Sequence, residues 1–72
     1  MKPRELIRIL RLLGAEERAA RGSHVRFGVG ACNTTVPNHK GEDIKTGTLH
    51  AIEKDLEPCL GKGWLKKARE GK

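Results

Sequence analysis

Aromatic side chains are almost missing from this chain: Phe27 and Trp64 are the only two in 72 residues, and there is no tyrosine. Proteins that read single-stranded nucleic acid by its bases stack those bases on aromatic platforms. Phe27 alternates with Val25 and Val29 and so belongs to a core, which leaves almost nothing for stacking. Long apolar runs are also missing, and a bilayer span needs about 20 such residues. Cysteine occurs twice, at positions 32 and 59, with no secretory signal ahead of it, so both are expected as free thiols in a reducing cytosol. Cys32, His39, His50 and Cys59 follow no paired-ligand spacing, so no metal site is expected, and none of the sequence reads as a glycine-rich phosphate loop after a strand. Nor is there an internal repeat.

Positive charge is plentiful. Fifteen Lys and Arg against nine Asp and Glu give a net charge of +6. So strong a field on so small a body attracts phosphates or an acidic protein partner, although it also serves solubility. Length permits one domain with one modest core, and no cofactor is implied. Bound nucleic acid would be held mainly through its backbone, with affinity falling steeply as salt rises.

Hydrophobic spacing orders the elements. Pro3 suits a first helical turn, and Leu6, Leu10 and Leu13, broadened by Ile9 and Leu12, form an apolar stripe that predicts a helix over residues 3–13, closed by Gly14. Residues 15–21 read as a weak strand, inferred from their neighbours rather than from propensity. Residues 23–29 alternate cleanly, with Val25, Phe27 and Val29 on one face and His24, Arg26 and Gly28 on the other. A turn at Gly28–Asn33 leads to a short strand at Thr34–Val36 that Pro37 ends or confines to an edge. Thr46 or Thr48 then caps a helix whose apolar positions are Leu49, Ile52 and Leu56, stopped by Pro58 and Gly61. This predicts an α+β, α-β-β-β-α fold like a double-stranded-RNA-binding domain, with a three-stranded antiparallel sheet and two helices on one of its faces. Residues 1–60 form the domain, and residues 61–72 are either a basic tail or a short third helix around Trp64, Leu65 and Ala68.

Gly22-Ser23-His24 puts an imidazole at a strand entrance, on the side away from the core. RNA carries its own nucleophile, the 2′-hydroxyl beside each phosphodiester, and cleaving it requires proton removal and alignment. Imidazole exchanges a proton near neutral pH, so His24 is the candidate catalytic group; an exposed strand histidine without a role is the other reading. Arg21, Arg26 and Lys40 are the cations sequence-nearest to it and to its following loops, and are candidate phosphate contacts, or solvated charges. Ser23 either binds phosphate or satisfies its own turn, and Gly22 either admits the RNA backbone or supplies an unusual backbone angle. His39, in a polar loop, and His50, off the apolar stripe of its helix, are not assigned a role. A lysine or water can supply the second proton transfer.

Arg21-Gly22-Ser23-His24-Val25, Thr34-Thr35-Val36-Pro37, His39-Lys40-Gly41-Glu42-Asp43-Ile44 and Gly47-Thr48-Leu49, in this order and spacing, resemble a HicA-type mRNA interferase toxin from Lys2 to about Leu56. The resemblance implies the toxin of a type II toxin–antitoxin pair: a metal-independent, cytoplasmic endoribonuclease that cleaves messenger RNA. The family's essential histidine falls on His24, and the residue reading above adds Arg21, Gly22, Ser23, Arg26 and Lys40 as expected RNA contacts. It further implies a HicB-type antitoxin as partner, with the toxin a monomer when free and part of a hetero-oligomer when inhibited. A non-catalytic RNA- or partner-binding module of the same fold is the alternative.

Overall fold

A computed structural model describes residues 1–39 and 41–70, so Lys40, one of the expected RNA contacts, lies outside the described residues. The elements run α1 (Pro3–Leu12), β1 (Glu16–Arg21), β2 (His24–Val29), β3 (Cys32–Pro37), α2 (Thr46–Leu60) and α3 (Trp64–Glu70). The strands form one antiparallel sheet in the order β1-β2-β3, as the alternation predicts.

Both hairpins are tight. Arg21 pairs with His24 across Gly22-Ser23, and Val29 pairs with Cys32 across Gly30-Ala31. Each loop begins with a glycine at positive φ, 58° for Gly22 and 56° for Gly30, the conformation that lets a two-residue loop follow the twist of its strands. Because the second loop is this short, β3 starts at Cys32, earlier than the Thr34 expected from sequence.

Alternation along β2 places Val25 and Phe27 on the helix-facing side, where Phe27 is fully buried. Val36 joins them from β3, Leu6, Ile9 and Leu10 from α1, and Ile52 and Leu56 from α2. Truncating Phe27 to alanine would cost about 3–5 kcal/mol through lost transfer energy and the cavity left behind. The single buried polar side chain among the described residues, Thr34, donates its hydroxyl to Asp55 Oδ2 on α2 at 3.0 Å.

Helix ends depart from expectation in instructive ways. α1 stops at Leu12 because Gly14, at φ 89°, turns the chain: its N–H bonds Arg11 O and the Ala15 N–H bonds Leu10 O, a Schellman closure. The apolar stripe is thereby cut short. Leu12 and Leu13, expected in the core, are 79% and 38% exposed. Neither threonine caps α2, whose N-cap is Lys45 without a side-chain bond. Pro58 does not stop α2 either, because it sits in the last turn, where a missing N–H removes a single bond; the helix runs on to Leu60 and Gly61.

The expectation of free thiols is also corrected. Cys32 and Cys59 form a disulfide with Cα atoms 6.2 Å apart. α2 runs back along β3, so that Thr34 meets Asp55 and the strand's first residue meets the helix's last turn. A sequence separation of 27 carries no trace of that meeting. Residues 64–70 are helix rather than frayed tail, held by burial of Trp64 and Leu65 and by the Trp64 Nε1–H bond to Glu53 O at 2.9 Å.

Candidate active site

The sheet face opposite the helices is open to solvent and basic. His24 begins β2 and is exposed there, flanked in register by Arg21 on β1 and Pro37 on β3. Strand periodicity puts Arg26 on the same face, where its Nη1 donates to Thr35 Oγ1 at 3.4 Å. A bulge between Glu17 and Ala19 turns Arg18 toward this face as well. Its guanidinium lies over Gly28, so closely that a Cβ at Gly28 would collide with Arg18 Nε, and Arg18 Nη2 donates to Gly30 O at 3.4 Å. Arg18 escaped the sequence reading because no residue pattern announces the bulge.

Gly22 owes its identity to the turn, since its positive φ strains any side chain, while the space around it is open. Ser23 is half-buried, and its carbonyl accepts a hydrogen bond from the Asn38 N–H. That bond joins the β1–β2 turn to the segment leaving β3, and its consequence falls on the next residue. His39 stands beside His24 with ring centroids 5.8 Å apart and planes at 84°. Two imidazoles from segments distant in sequence thus share one exposed corner of the molecule.

Backbone bonds position the loop that carries His39. His39 O accepts from the Glu42 N–H at 3.1 Å, and the Ile44 N–H donates to Met1 O at 2.8 Å while Ile44 itself is buried. Lys2 Nζ bonds Gly41 O at 3.4 Å and pairs with Asp43 Oδ1 at 3.1 Å. The Lys2 ammonium, by hydrogen bond and then by charge, with the N-terminal ammonium adding to it, holds the Asp43 carboxyl below its ordinary range. The beginning of α1 and the loop are therefore one assembly.

Where they meet, a groove of about 830 Å³ runs past His39 and Asn38 along α1, lined by Lys2, Arg4, Glu5, Ile7 and Arg8. Arg4 and Arg8 lie on α1, and the position of the loop makes them a wall of the groove. His50 is exposed on α2.

Together these features offer one surface with two proton-exchanging rings and cations on both sides. Such a surface can bind a phosphodiester, take a proton from a neighbouring hydroxyl and give one to a departing oxygen. Phe27 and Trp64 are both buried and so offer bases no stacking platform.

A protein-family model described as the HicA toxin of bacterial toxin–antitoxin systems matches residues 3–57, from the start of α1 to the last turns of α2. Searches of curated proteins and of solved structures found no match.

Proposed function

The chain belongs to the HicA toxin family and is the toxin of a toxin–antitoxin system, and from that premise we propose that it is an endoribonuclease acting on messenger RNA, with His24 as its general base. The observation that carries this reading is the exposed His24 ring at the start of β2, set between Arg21 and the loop after β3 on the basic face of the sheet. His24 takes the proton of a ribose 2′-hydroxyl, the freed oxygen attacks the adjacent phosphorus, and the bond from phosphorus to the 5′-oxygen breaks. No metal is needed for this displacement, because the nucleophile belongs to the substrate. Arg21 and Arg26 hold the phosphate and offset the charge that builds on its oxygens, and Lys40 serves as a further phosphate contact. Gly22 and Ser23 shape the turn that delivers His24, and the Ser23 hydroxyl adds a phosphate contact.

A HicB-type antitoxin silences the toxin by covering the His24 face, where it blocks both phosphate approach and proton transfer. The free toxin works as a monomer in the cytoplasm and enters a hetero-oligomer on inhibition.

The test is His24→Ala. Because the ring is exposed, the variant should keep its melting temperature and circular dichroism and bind RNA about as well as the unaltered chain. It should cleave roughly 10²- to 10⁴-fold more slowly, the usual worth of a positioned general base. Cleavage by the variant at the unaltered rate, or a purified parent chain that leaves every RNA intact, would sink the reading in favour of a non-catalytic binding module.

A further inference from the structure

We infer that His39 is the second proton-transfer group of this site: the general acid that protonates the departing 5′-oxygen while His24 acts as base. The inference rests on the ribonuclease reading above and adds a catalytic residue to it.

Three observations converge on His39. Its ring stands edge-on to that of His24 with centroids 5.8 Å apart, so one phosphodiester can touch both, each group working within about 2.6–3.2 Å of its oxygen. The placement is built into the fold: the Asn38 N–H bonds the carbonyl of Ser23, the residue just before His24, and the Glu42 N–H bonds the carbonyl of His39 itself. His24 also stands on the sheet, whereas His39 lines the groove along α1 with three cations, Lys2, Arg4 and Arg8, and one acid, Glu5. That division assigns the two sides of the scissile phosphate. The nucleotide whose 2′-oxygen attacks lies over the sheet face with Arg21 and Arg26, and the departing strand follows the groove, its phosphates met by Arg4 and Arg8.

The step balances without a co-reactant. The 2′-O–H proton passes to a His24 ring nitrogen as the bond from the 2′-oxygen to phosphorus forms. The bond from phosphorus to the 5′-oxygen breaks with its electron pair on that oxygen, which takes a proton from protonated His39. The products are a 2′,3′-cyclic phosphate and a 5′-hydroxyl, and the pair is reset by moving one proton from His24 to His39 through solvent.

A leaving group that needs no proton isolates this role. The unaltered chain, His24→Ala and His39→Ala are compared on an RNA oligonucleotide and on the same oligonucleotide with sulfur replacing the bridging 5′-oxygen at the linkage the unaltered chain cuts. A thiolate departs unprotonated. His39→Ala should lose about 10²- to 10⁴-fold on ordinary RNA and come back to within about tenfold of the unaltered chain on the sulfur substrate, while His24→Ala stays slow on both. A merely structural His39 would slow both substrates alike, and that result overturns the inference. So does full activity of His39→Ala on ordinary RNA, or sulfur rescue of His24→Ala in its place. In each of these cases loss of activity in His24→Ala leaves the ribonuclease reading standing; a parent chain that cuts no RNA removes both.

Discussion

The two ends of β3 are built on opposite plans. At its start, Cys32 is bonded covalently to the last turn of α2, and two residues on, Thr34 is buried with its hydroxyl on Asp55. At its finish, Pro37 releases the chain into a loop held by backbone hydrogen bonds, one buried isoleucine and one exposed ion pair. A covalent bond and a buried hydrogen bond anchor one end, and the two imidazole rings stand at the other. On the proposed reading the open end must admit a polyanion and so cannot be sealed by packing, which leaves the strand to be secured at its other end.

The contrast can be broken most forcefully at the anchored end. Replacing Cys32 and Cys59 together by serine, or reducing the disulfide, should lower unfolding free energy by about 3–4 kcal/mol, the loop-closure entropy of a ring this size. Denaturant melts read that loss, and cleavage per folded molecule should hardly change. If activity fell in step with the disulfide while stability held, the two ends would not be independent. Thr34→Val is the milder version: it removes one hydrogen bond at nearly constant volume, while Asp55 stays in contact with water. A loss of about 1 kcal/mol is expected in the same melts, again with unchanged turnover.

The smallest effect on stability belongs to the open end. Asp43 has a lowered pKa, so what its pair with Lys2 contributes is present above the ordinary carboxylate range, and is lost as pH falls through the lowered value. Asp43→Asn should therefore flatten the stability profile only on its acid side, below about pH 4, and salt should erase much of the difference. At neutral pH the melting temperature should barely move, yet cleavage should slow by a few fold if Lys2 and Asp43 position the loop of His39. An unchanged rate would show that the backbone bonds suffice.

Much of this was legible in the residues. Alternation at Val25, Phe27 and Val29 defined β2 and the side on which His24 and Arg26 lie, and the leucine spacing defined α1, because those periods follow from backbone geometry alone. β1 was harder: it is exposed along its whole length and exists because β2 pairs with it, not because Glu, Arg and Ala favour strands. Leu12 and Leu13 misled, since the spacing continues past the point where Gly14 ends the helix. The site was half visible. His24 stood out at a strand entrance, whereas His39 looked like any polar-loop histidine and Arg18 like any edge-strand charge.

What the residues settled alone was therefore the order of elements, the basic surface, the family motifs and the exposed side of His24, all consequences of neighbours within a few positions. Tertiary structure alone brought His39 to His24, Cys59 to Cys32, and Arg4 and Arg8 to the rim of a groove. Those meetings depend on how the sheet and helices pack, and residues distant along a chain carry no local pattern that encodes their separation in space.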